Sequence, residues 1–380
     1  MAMASPCRKA VVIALFVAGG SSLSIVLKIL FMSQAPGRNG EAKSFQKPWF
    51  ALLMMAAAMS TSLWKWWYDQ RRSSRSLPAA SMRIVGLKLV IPSFMNMFGT
   101  FIQAVGLLWT PVSVYQMLQS SVIIFSAIIR FFWMGKGLWG FEFCGIVLTA
   151  IGLSAVGVAS IFSGHEDAQT LSLGEQIAGI SLVLGSQCIL ALEAVVEERA
   201  MHGSAAAPEF VCGMVGAWGI LIVGGLFMPM AQYLPESIAE GKGLREDTIE
   251  TLLMVKESQS IQLLCVLFFI VVFIYNHTQR LLIGLTQATT MQVLGGMRTL
   301  CVWAIALLMY FVWPQYGESW KWHTWIELAG FLTLMLGVFL YKATFKLPCF
   351  NYPEPVAECA PKRVSVADST SLVDPETESV

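Results

Sequence analysis

Two stretches of the chain, QAVGLLWTPVSVYQML at residues 103–118 and QRLLIGLTQATTMQVL at residues 279–294, carry the same polar residues at the same spacing. The matched positions, offset by 176 residues, are Gln103, Thr110, Gln116 and Leu118 with Gln279, Thr286, Gln292 and Leu294. A second set, offset by 185 residues, matches Glu142, Gly145 and Gly152 with Glu327, Gly330 and Gly337. Both sets lie inside long apolar runs, and weak internal symmetry between hydrophobic halves is typical of secondary transporters built from repeats. The sequence therefore predicts a duplicated membrane transporter.

The composition excludes an ordinary soluble globular protein. Of the 380 residues, 56% are hydrophobic and only 13% are charged, unlike soluble domains. The apolar residues form blocks of about 20, the length with which a helix crosses about 30 Å of hydrocarbon. We predict an all-α integral membrane protein with ten transmembrane helices, at residues 10–32, 49–67, 85–109, 112–132, 141–162, 177–196, 210–230, 261–283, 288–312 and 322–341.

The ten predicted spans divide evenly between the two halves. An odd number of spans in each half reverses the orientation of the second, so five and five predict two inverted five-helix repeats. The Lys and Arg residues of the connecting segments favour cytosolic termini under the positive-inside rule. The predicted parts are a cytosolic N-terminus (1–9), a first repeat (10–162), a second repeat (163–345) with a lumenal loop (231–257), and a disordered cytosolic tail (346–380).

Two basic residues lie inside predicted spans, where charge is costly unless it is paired or hydrated. Arg298 lies about ten residues inside the ninth span, and its guanidinium suits either an anionic substrate or a carboxylate on another helix. Lys28 lies near the far end of the first span. Two interpretations of Lys28 stand side by side: a cation that faces a central cavity, or a side chain that extends to the lumenal interface.

Other polar residues complete the predicted site. Glu193 lies one turn inside the sixth span. It is a candidate counter-charge for Arg298 or for a cationic substrate, and a candidate proton carrier. His277 suits proton coupling because histidine titrates near neutral pH, although a hydrogen-bonded structural histidine is the commoner case. The predicted neutral donors and acceptors are Tyr115, Gln116, Gln119 and Thr290.

Small residues on the fifth and tenth spans indicate close helix packing. Gly145, Gly152, Gly330 and Gly337 let two membrane helices approach each other, either within one chain or between two copies in a homodimer. The other expected partners are a small-molecule substrate and membrane lipid, and no feature points to nucleic acid. No phosphate-binding glycine loop, zinc motif or nucleophile constellation occurs in the sequence, so we expect no enzyme activity, cofactor or metal.

Three motifs resemble the F branch of the solute carrier 35 family, within the drug/metabolite transporter superfamily (EamA-type and nucleotide-sugar transporters). YQMLQSSVIIF at residues 115–125 is similar to the family's FQMLRGxVIIF, and AVVEER at 194–199 is similar to VLEEK. ATTMQVLGGMRT at residues 288–299 is similar to ATTRxVLDxxRT. The resemblance implies alternating access around a central cavity and a solute exchanged between an internal compartment and the cytosol.

Three positions depart from the family pattern. Gln119 stands where the family has arginine, Gly295 where it has aspartate, and Leu23 where it has asparagine. Without the aspartate, Arg298 lacks a partner one turn away on its own helix. The substrate of relatives therefore does not transfer directly to this chain.

Together these features predict a secondary-active transporter, working by antiport or along a gradient, for a small organic anionic metabolite such as a nucleotide sugar. One alternative is a transporter of cationic or amino-acid-like solutes and drugs, in which Glu193 faces the cavity. Another is a non-transporting membrane scaffold that binds partners through the 231–257 loop or the tail. The resemblance implies an endomembrane location in the Golgi, endosome or lysosome.

Overall fold

The fold is almost entirely helical. The structure, a computed structural model, describes residues 6–37, 42–72, 79–134, 137, 139–166, 173–201, 207–233, 247–285, 288–313, 317–318, 320–344 and 348. The predicted cytosolic tail at 346–380 therefore lies, apart from Pro348, outside the described residues.

The first half contains eight helices and a short hairpin. The helices are α1 (Pro6–Met32), α2 (Pro48–Ser60), α3 (Ser62–Arg72), α4 (Ala79–Lys88), α5 (Val90–Leu108), α6 (Val112–Leu118), α7 (Val122–Met134) and α8 (Gly140–Glu166). Strands β1 (Gln34–Pro36) and β2 (Ala42–Ser44) pair antiparallel after α1. A 3₁₀ turn (Gln119–Ser121) joins α6 to α7.

The second half contains the remaining helices of the described chain. They are α9 (Leu173–Met201), α10 (Pro208–Ile222), α11 (Met228–Gln232), α12 (Thr248–Glu257), α13 (Gln259–Leu285), α14 (Ala288–Val312) and α15 (Trp322–Tyr341). One π-helical turn, Val223–Phe227, links α10 to α11. The predicted lumenal loop at 231–257 contains α12, which covers the last ten of its residues.

Eight stretches of the described chain are helical, long and apolar enough to cross a membrane. They are Lys9–Met32, Met82–Leu108, Val112–Ile129, Gly140–Phe162, Leu173–Glu197, Pro208–Gln232, Gln259–Gln279 and Trp322–Tyr341. Of the other two predicted spans, 49–67 is divided between α2 and α3, and the apolar part of α14, Met297–Val312, is shorter. The protein is an all-α multi-pass membrane protein, and ten spans stays a prediction.

Proline fixes several helix boundaries, because it has no N–H to donate and its ring presets a helical φ at the first position. Pro48 and Pro208 each begin a helix in this way. Pro111, in an extended conformation with ψ of 149°, separates α5 from α6. The apolar run from 85 to 132 is consequently two segments, as the Thr110-Pro111 pair predicts.

Exposed aromatic side chains cluster in two parts of the described chain, as residues at a membrane–water interface do. Tryptophan and tyrosine favour this interface because one end of each ring system is polar. The exposed aromatic residues between α14 and α15 and at the start of α15 are Trp313, Trp320, Trp322 and Trp325. At the end of α3, Arg71 and Arg72 stack over the exposed rings of Trp67 and Tyr68.

The main helix pairings join one half of the chain to the other. Helix α1 packs on α13 and α14, α5 on α9, α2 on α10, α6 on α14, and α8 on α15. Since lipid gives apolar helices no hydrophobic reason to associate, such contacts depend on close fit. The core therefore lies along the seam between the halves.

Helices α8 and α15 approach most closely, and all four predicted packing glycines lie between them. A Cβ on Gly145 would lie 2.5 Å from the backbone N of Tyr341, and one on Gly337 would lie 2.5 Å from that of Thr149. Added carbons on Gly152 and Gly330 would likewise meet backbone atoms of the opposite helix. These glycines pack within one chain, so a homodimer would need a different face of the two helices.

A cluster of contacts, here called the clamp, holds the β1–β2 hairpin against α12. Phe45, which follows β2, is fully buried with Leu30 and Met254. Asp247 caps α12 by accepting from the backbone N atoms of Ile249 and Glu250 at 3.0 and 3.1 Å. The hairpin therefore covers the end of α1.

Glu250 is the charged centre of this clamp. Burial acts to raise the pKa of Glu250, but the Lys47 ammonium at 2.9 Å and the Lys43 ammonium at 3.4 Å outweigh it and hold the pKa below its usual range. A carboxyl with a lowered pKa stabilises the fold above its unfolded pKa, and that contribution disappears as the pH falls through the folded value.

We therefore expect Glu250→Gln to lower stability at pH 7 by about 1 kcal/mol, the upper range for a surface ion pair. The difference from the parent protein should shrink as the pH falls below the ordinary glutamate pKa of about 4.3 and through the lowered pKa of folded Glu250, because only below that folded value is the carboxyl protonated in both states. Thermal unfolding in detergent at several pH values measures both effects. Glu257→Gln, an exposed carboxylate on the same helix, is the matched control, and an equal loss in that variant would contradict the assignment.

Candidate functional site

Arg298 lies at the meeting point of four helical segments. It extends from the third turn of α14, and its Nη1 donates to the hydroxyl of Tyr275 on α13 at 2.7 Å. Its Nη2 donates to Oε1 of Gln119, in the 3₁₀ turn after α6, at 3.0 Å. The guanidinium also lies 5.7 Å from the centre of the Tyr275 ring. The side chain is thus held on two sides by neutral groups.

Gln116 supplies a third contact to the guanidinium. Oriented so that both ends of the amide are satisfied, its oxygen accepts from Nε and Nη2 of Arg298 at 2.9 and 2.6 Å. Its nitrogen then donates to Oγ of Ser24 on α1 at 2.9 Å. Gln116 is only 1% exposed, and buried amides retain their place when every polar atom is paired. A hydrogen-bonded chain therefore runs from α1 through α6 to α14.

Gly20 on α1 makes room for this arrangement. A Cβ at that position would lie 2.5 Å from Cδ of Arg298 and 2.9 Å from a ring carbon of Tyr275. The neighbouring Ser21 donates its hydroxyl to the carbonyl O of Arg298 at 3.3 Å. The small residues at 20 and 21 let α1 and α14 approach at the level of the guanidinium.

The charge of Arg298 has no acidic partner among the described residues. The ion pairs within 4.0 Å in this part of the chain join Lys43 and Lys47 to Glu250, and Lys65 to Glu209. Neutral acceptors orient a guanidinium without cancelling its charge, so the positive charge inside the bundle stays available to an anion.

The structure brings part of the predicted site together. Tyr115, Gln116, Gln119 and Arg298 are neighbours, with the Tyr115 phenol close to both Gln119 and Arg298. The side chain of Thr290 lies outside the described residues. Glu193 is buried on α9, at 7% exposure, the helix that packs on α5 and α7.

His277 belongs to a different cluster, beside the start of α3. Its two ring nitrogens lie 3.3 and 3.5 Å from Nζ of Lys65, which in turn lies 3.8 Å from the carboxylate of Glu209. The ring also stacks on Phe273 at 6.0 Å. Proton coupling through His277 stays a prediction, and the structure gives it Lys65 as a direct neighbour.

Lys28 is anchored to the break between α5 and α6. Its Nζ donates to the carbonyl oxygens of Leu107 at 2.7 Å and Thr110 at 3.0 Å. The last carbonyls of a helix have no partner within that helix, and a lysine ammonium satisfies them well. In this structure Lys28 secures the turn that positions α6.

Four residues that contribute to these contacts were not predicted from the sequence. Tyr275 directly precedes the polar run Asn276-His277-Thr278, and this neighbourhood is the sequence feature that could have indicated a polar role for it. Ser21 and Ser24 precede Lys28 at spacings that put all three on one face of α1. Glu318, whose Oε1 accepts from the backbone N of Ser113 at 3.2 Å, lies in a connection whose folding back onto α6 no periodicity indicates.

Comparison with known proteins gives a consistent picture. The chain is 29% identical to Solute carrier family 35 member F6 of Rattus norvegicus over 74% of this chain and 73% of that protein. It is 29% identical to the Mus musculus protein of the same name over 71% and 70% of the two chains. An uncharacterised protein of Schizosaccharomyces pombe is 26% identical over 68% and 75%. No family model matches the chain.

Proposed function

Because the chain is related to the solute carrier 35 family, we propose that it is a secondary-active transporter. Its substrate would be a small organic anion such as a nucleotide sugar, and Arg298 would bind the anionic group. The single observation that carries this proposal is the charge of Arg298, oriented by three neutral side chains and unmatched by a carboxylate in the described part of the chain. Intramembrane charge of this kind defaults to function.

The arrangement around Arg298 suits the binding of a phosphate group. A guanidinium binds two oxygens of a phosphate or carboxylate in one plane. Gln119, Tyr275 and Tyr115 surround it with neutral hydrogen-bonding groups and aromatic rings, which suit the sugar and base of a nucleotide sugar. Gln119 also favours the observed position of the Arg298 side chain. An arginine at residue 119 would repel the guanidinium, whereas the glutamine accepts a hydrogen bond from it.

Ten spans in two inverted repeats form part of the proposal, and the helix pairings support it. If spans one to five correspond to spans six to ten, α1 corresponds to α9 and α5 corresponds to α13. Exchanging the halves then turns the pairing of α1 with α13 into the pairing of α9 with α5, and both pairings are present. The pairings of α2 with α10, α6 with α14, and α8 with α15 each map onto themselves. A two-fold axis in the membrane plane produces this pattern. Alternating access would then rock one set of helices about a site near this axis.

We further propose cytosolic termini and an internal membrane as the location. With cytosolic termini, the hairpin, α12 and the Trp313–Trp325 side of the bundle would face the lumen. The stacked Arg71 and Arg72 would lie at the cytosolic surface, as the positive-inside rule favours.

A ligand screen tests the proposed function directly. Purified protein in detergent is heated with UDP-N-acetylglucosamine, with UMP, with tetraethylammonium and with neutral amino acids. A ligand that binds the folded state raises the unfolding temperature, and the rise grows with the logarithm of its concentration above Kd. We expect stabilisation by the two anions. Stabilisation by the cation alone would favour a cationic substrate, and a flat result in all four cases would contradict a small-molecule site of these classes.

A further inference from the structure

A second group of ionisable side chains lies apart from Arg298, at the N-terminal end of α6. It consists of Lys28 on α1, Glu318 in the connection between α14 and α15, and Glu327 in the second turn of α15. Glu318 and Glu327 lie beside Ser113, at the start of α6, and Lys28 faces Glu318. None of these carboxylates has a role in the proposed substrate site.

Ser113 lies between the two carboxyl groups. Its backbone N donates to Oε1 of Glu318 at 3.2 Å, and its hydroxyl is close to both carboxyl groups. The hydroxyl of Ser113 and Oε1 of Glu327 are nevertheless both buried without a hydrogen-bond partner among the described residues. Glu327 is 7% exposed. Such unsatisfied buried atoms in a native fold require an explanation.

The two carboxyl groups have more hydrogen-bond acceptors than the donors around them can satisfy. Two ionised carboxylates present four oxygens that only accept, and the donors beside them are the backbone N–H groups of Val112 and Ser113 and the O–H of Ser113. Lys28 contributes little, because two of its three N–H groups are already directed at Leu107 and Thr110. A proton on one carboxyl would add a donor and remove the repulsion between two like charges.

We propose that Glu318 and Glu327 share one proton and form a proton-binding site at the outer end of the transport pathway. The inference rests on the proposed transporter function and adds proton coupling to it. Burial raises the pKa of Glu318, which supports a protonated pair. A metal ion is a poorer occupant, since the described residues contain no cluster of three His, Cys, Asp or Glu side chains that could hold one.

The charged groups that face the pair can be named element by element. Lys28 faces it from α1, Glu318 comes from the connection, and α6 contributes the neutral Ser113. On α15 itself, His323 precedes Glu327 by one turn. On α8, which packs antiparallel to α15, Glu142 is about 25 Å away at the opposite end of the helix. The local charge is therefore set by one ammonium, two carboxyls and a nearby histidine.

Helix α6 connects this pair to the substrate site. Ser113 touches Glu318 at the start of α6, and Gln116 and Gln119, about 4 and 9 Å further along the axis, bind Arg298. Loss of the shared proton would restore a second negative charge beside Ser113. Repulsion would then displace the connection from α6 and alter the glutamines that orient Arg298, which couples proton release to substrate affinity.

Infrared spectroscopy of the full-length purified protein tests the pair without any substrate. A protonated carboxyl has its own C=O band, and we expect this band in the parent protein at neutral pH and its loss as the pH rises. Glu327→Gln should leave a band from Glu318 alone, with its titration midpoint lower by about one pH unit, because a neighbouring negative charge is gone. Glu318→Gln should also change the midpoint, and it serves as the second variant if Glu327→Gln does not fold.

Glu142→Gln is the matched control. Glu142 holds the equivalent position in the sequence repeat and has the same 7% exposure, but its Oε2 accepts from the backbone N of Trp139 at 2.9 Å. We expect its removal to leave the neutral-pH band unchanged. Absence of the band at pH 6 to 7, or a band that both Glu327→Gln and Glu318→Gln leave unaltered, would overturn the proton site.

The two levels of the proposal fail separately. If UDP-N-acetylglucosamine stabilises the protein but the carboxyl band is absent, the transporter function stands and the proton site is wrong. If the band behaves as expected but no anion stabilises the protein, the proton site stands and the anionic substrate is wrong. If both hold, the stabilisation by the anion should change with pH over the range in which the band titrates.

Discussion

Replacing Arg298 with alanine should lower the affinity for an anionic solute by about 100-fold, the equivalent of about 3 kcal/mol. The loss is large because the guanidinium provides the one unmatched positive charge beside Gln116, Gln119 and Tyr275. Titration of the purified protein with UDP-N-acetylglucosamine, followed by thermal stabilisation, measures the effect. Uptake of the radiolabelled compound into proteoliposomes should fall in parallel.

Two conservative variants separate charge from geometry. Arg298→Lys keeps the charge but loses the planar fork, so we expect intermediate affinity. Arg298→Gln keeps hydrogen bonding without charge, and should bind anions as poorly as the alanine variant. Arg71→Ala, which removes an exposed arginine stacked on Trp67, is the control and should bind normally.

Stability without ligand distinguishes a substrate site from a structural ion pair. Breaking a buried pair by removing one partner costs several kcal/mol, because the other charge remains buried. Arg298 has no such partner in the described part of the chain, so Arg298→Gln should unfold at a temperature close to that of the parent protein. A variant that binds UDP-N-acetylglucosamine normally, or one that loses its fold together with its affinity, would contradict the anion-site assignment.

The sequence predicted the helices better than the contacts between them. Apolar blocks of membrane-spanning length locate helices reliably, because the bilayer requires every backbone hydrogen bond to be made within the segment. The break at Thr110-Pro111 was equally predictable, since proline has no N–H to donate. The division of residues 49–67 at Thr61 and the π turn at 223–227 carry no comparable signal.

The site was predictable where a residue type is costly in a membrane. Arg298 stood out by its depth, and Gln116 and Gln119 by their polarity. The partners that orient Arg298 could not be inferred, because they belong to segments far apart in sequence, as Tyr275 and Ser24 do. Lys28 illustrates the same limit: its carbonyl partners at Leu107 and Thr110 exist only once α1 has docked against the end of α5.

The glycines between α8 and α15 lead to the second prediction with a large effect, because a single methyl group should separate the two helices. A Cβ on Gly152 would lie 2.6 Å from the carbonyl O of Gly330 and against the backbone around Leu334. Backbone atoms cannot rotate away as a side chain can. We therefore expect Gly152→Ala to destabilise the protein by about 2 to 3 kcal/mol, in the range of overpacked cores.

Gly157→Ala is the matched control on the same helix, and its expected effect has the opposite sign. A Cβ there meets nothing within 4 Å, so the substitution adds only the helix propensity of alanine, about 1 kcal/mol in favour of folding. Thermal unfolding of the two variants in detergent should therefore bracket the parent protein. If Gly152→Ala instead kept its stability and only changed the oligomeric state on size-exclusion chromatography, the glycines would belong to an interface between copies. Because the close contact lies inside one chain, we expect loss of stability without a change of oligomeric state.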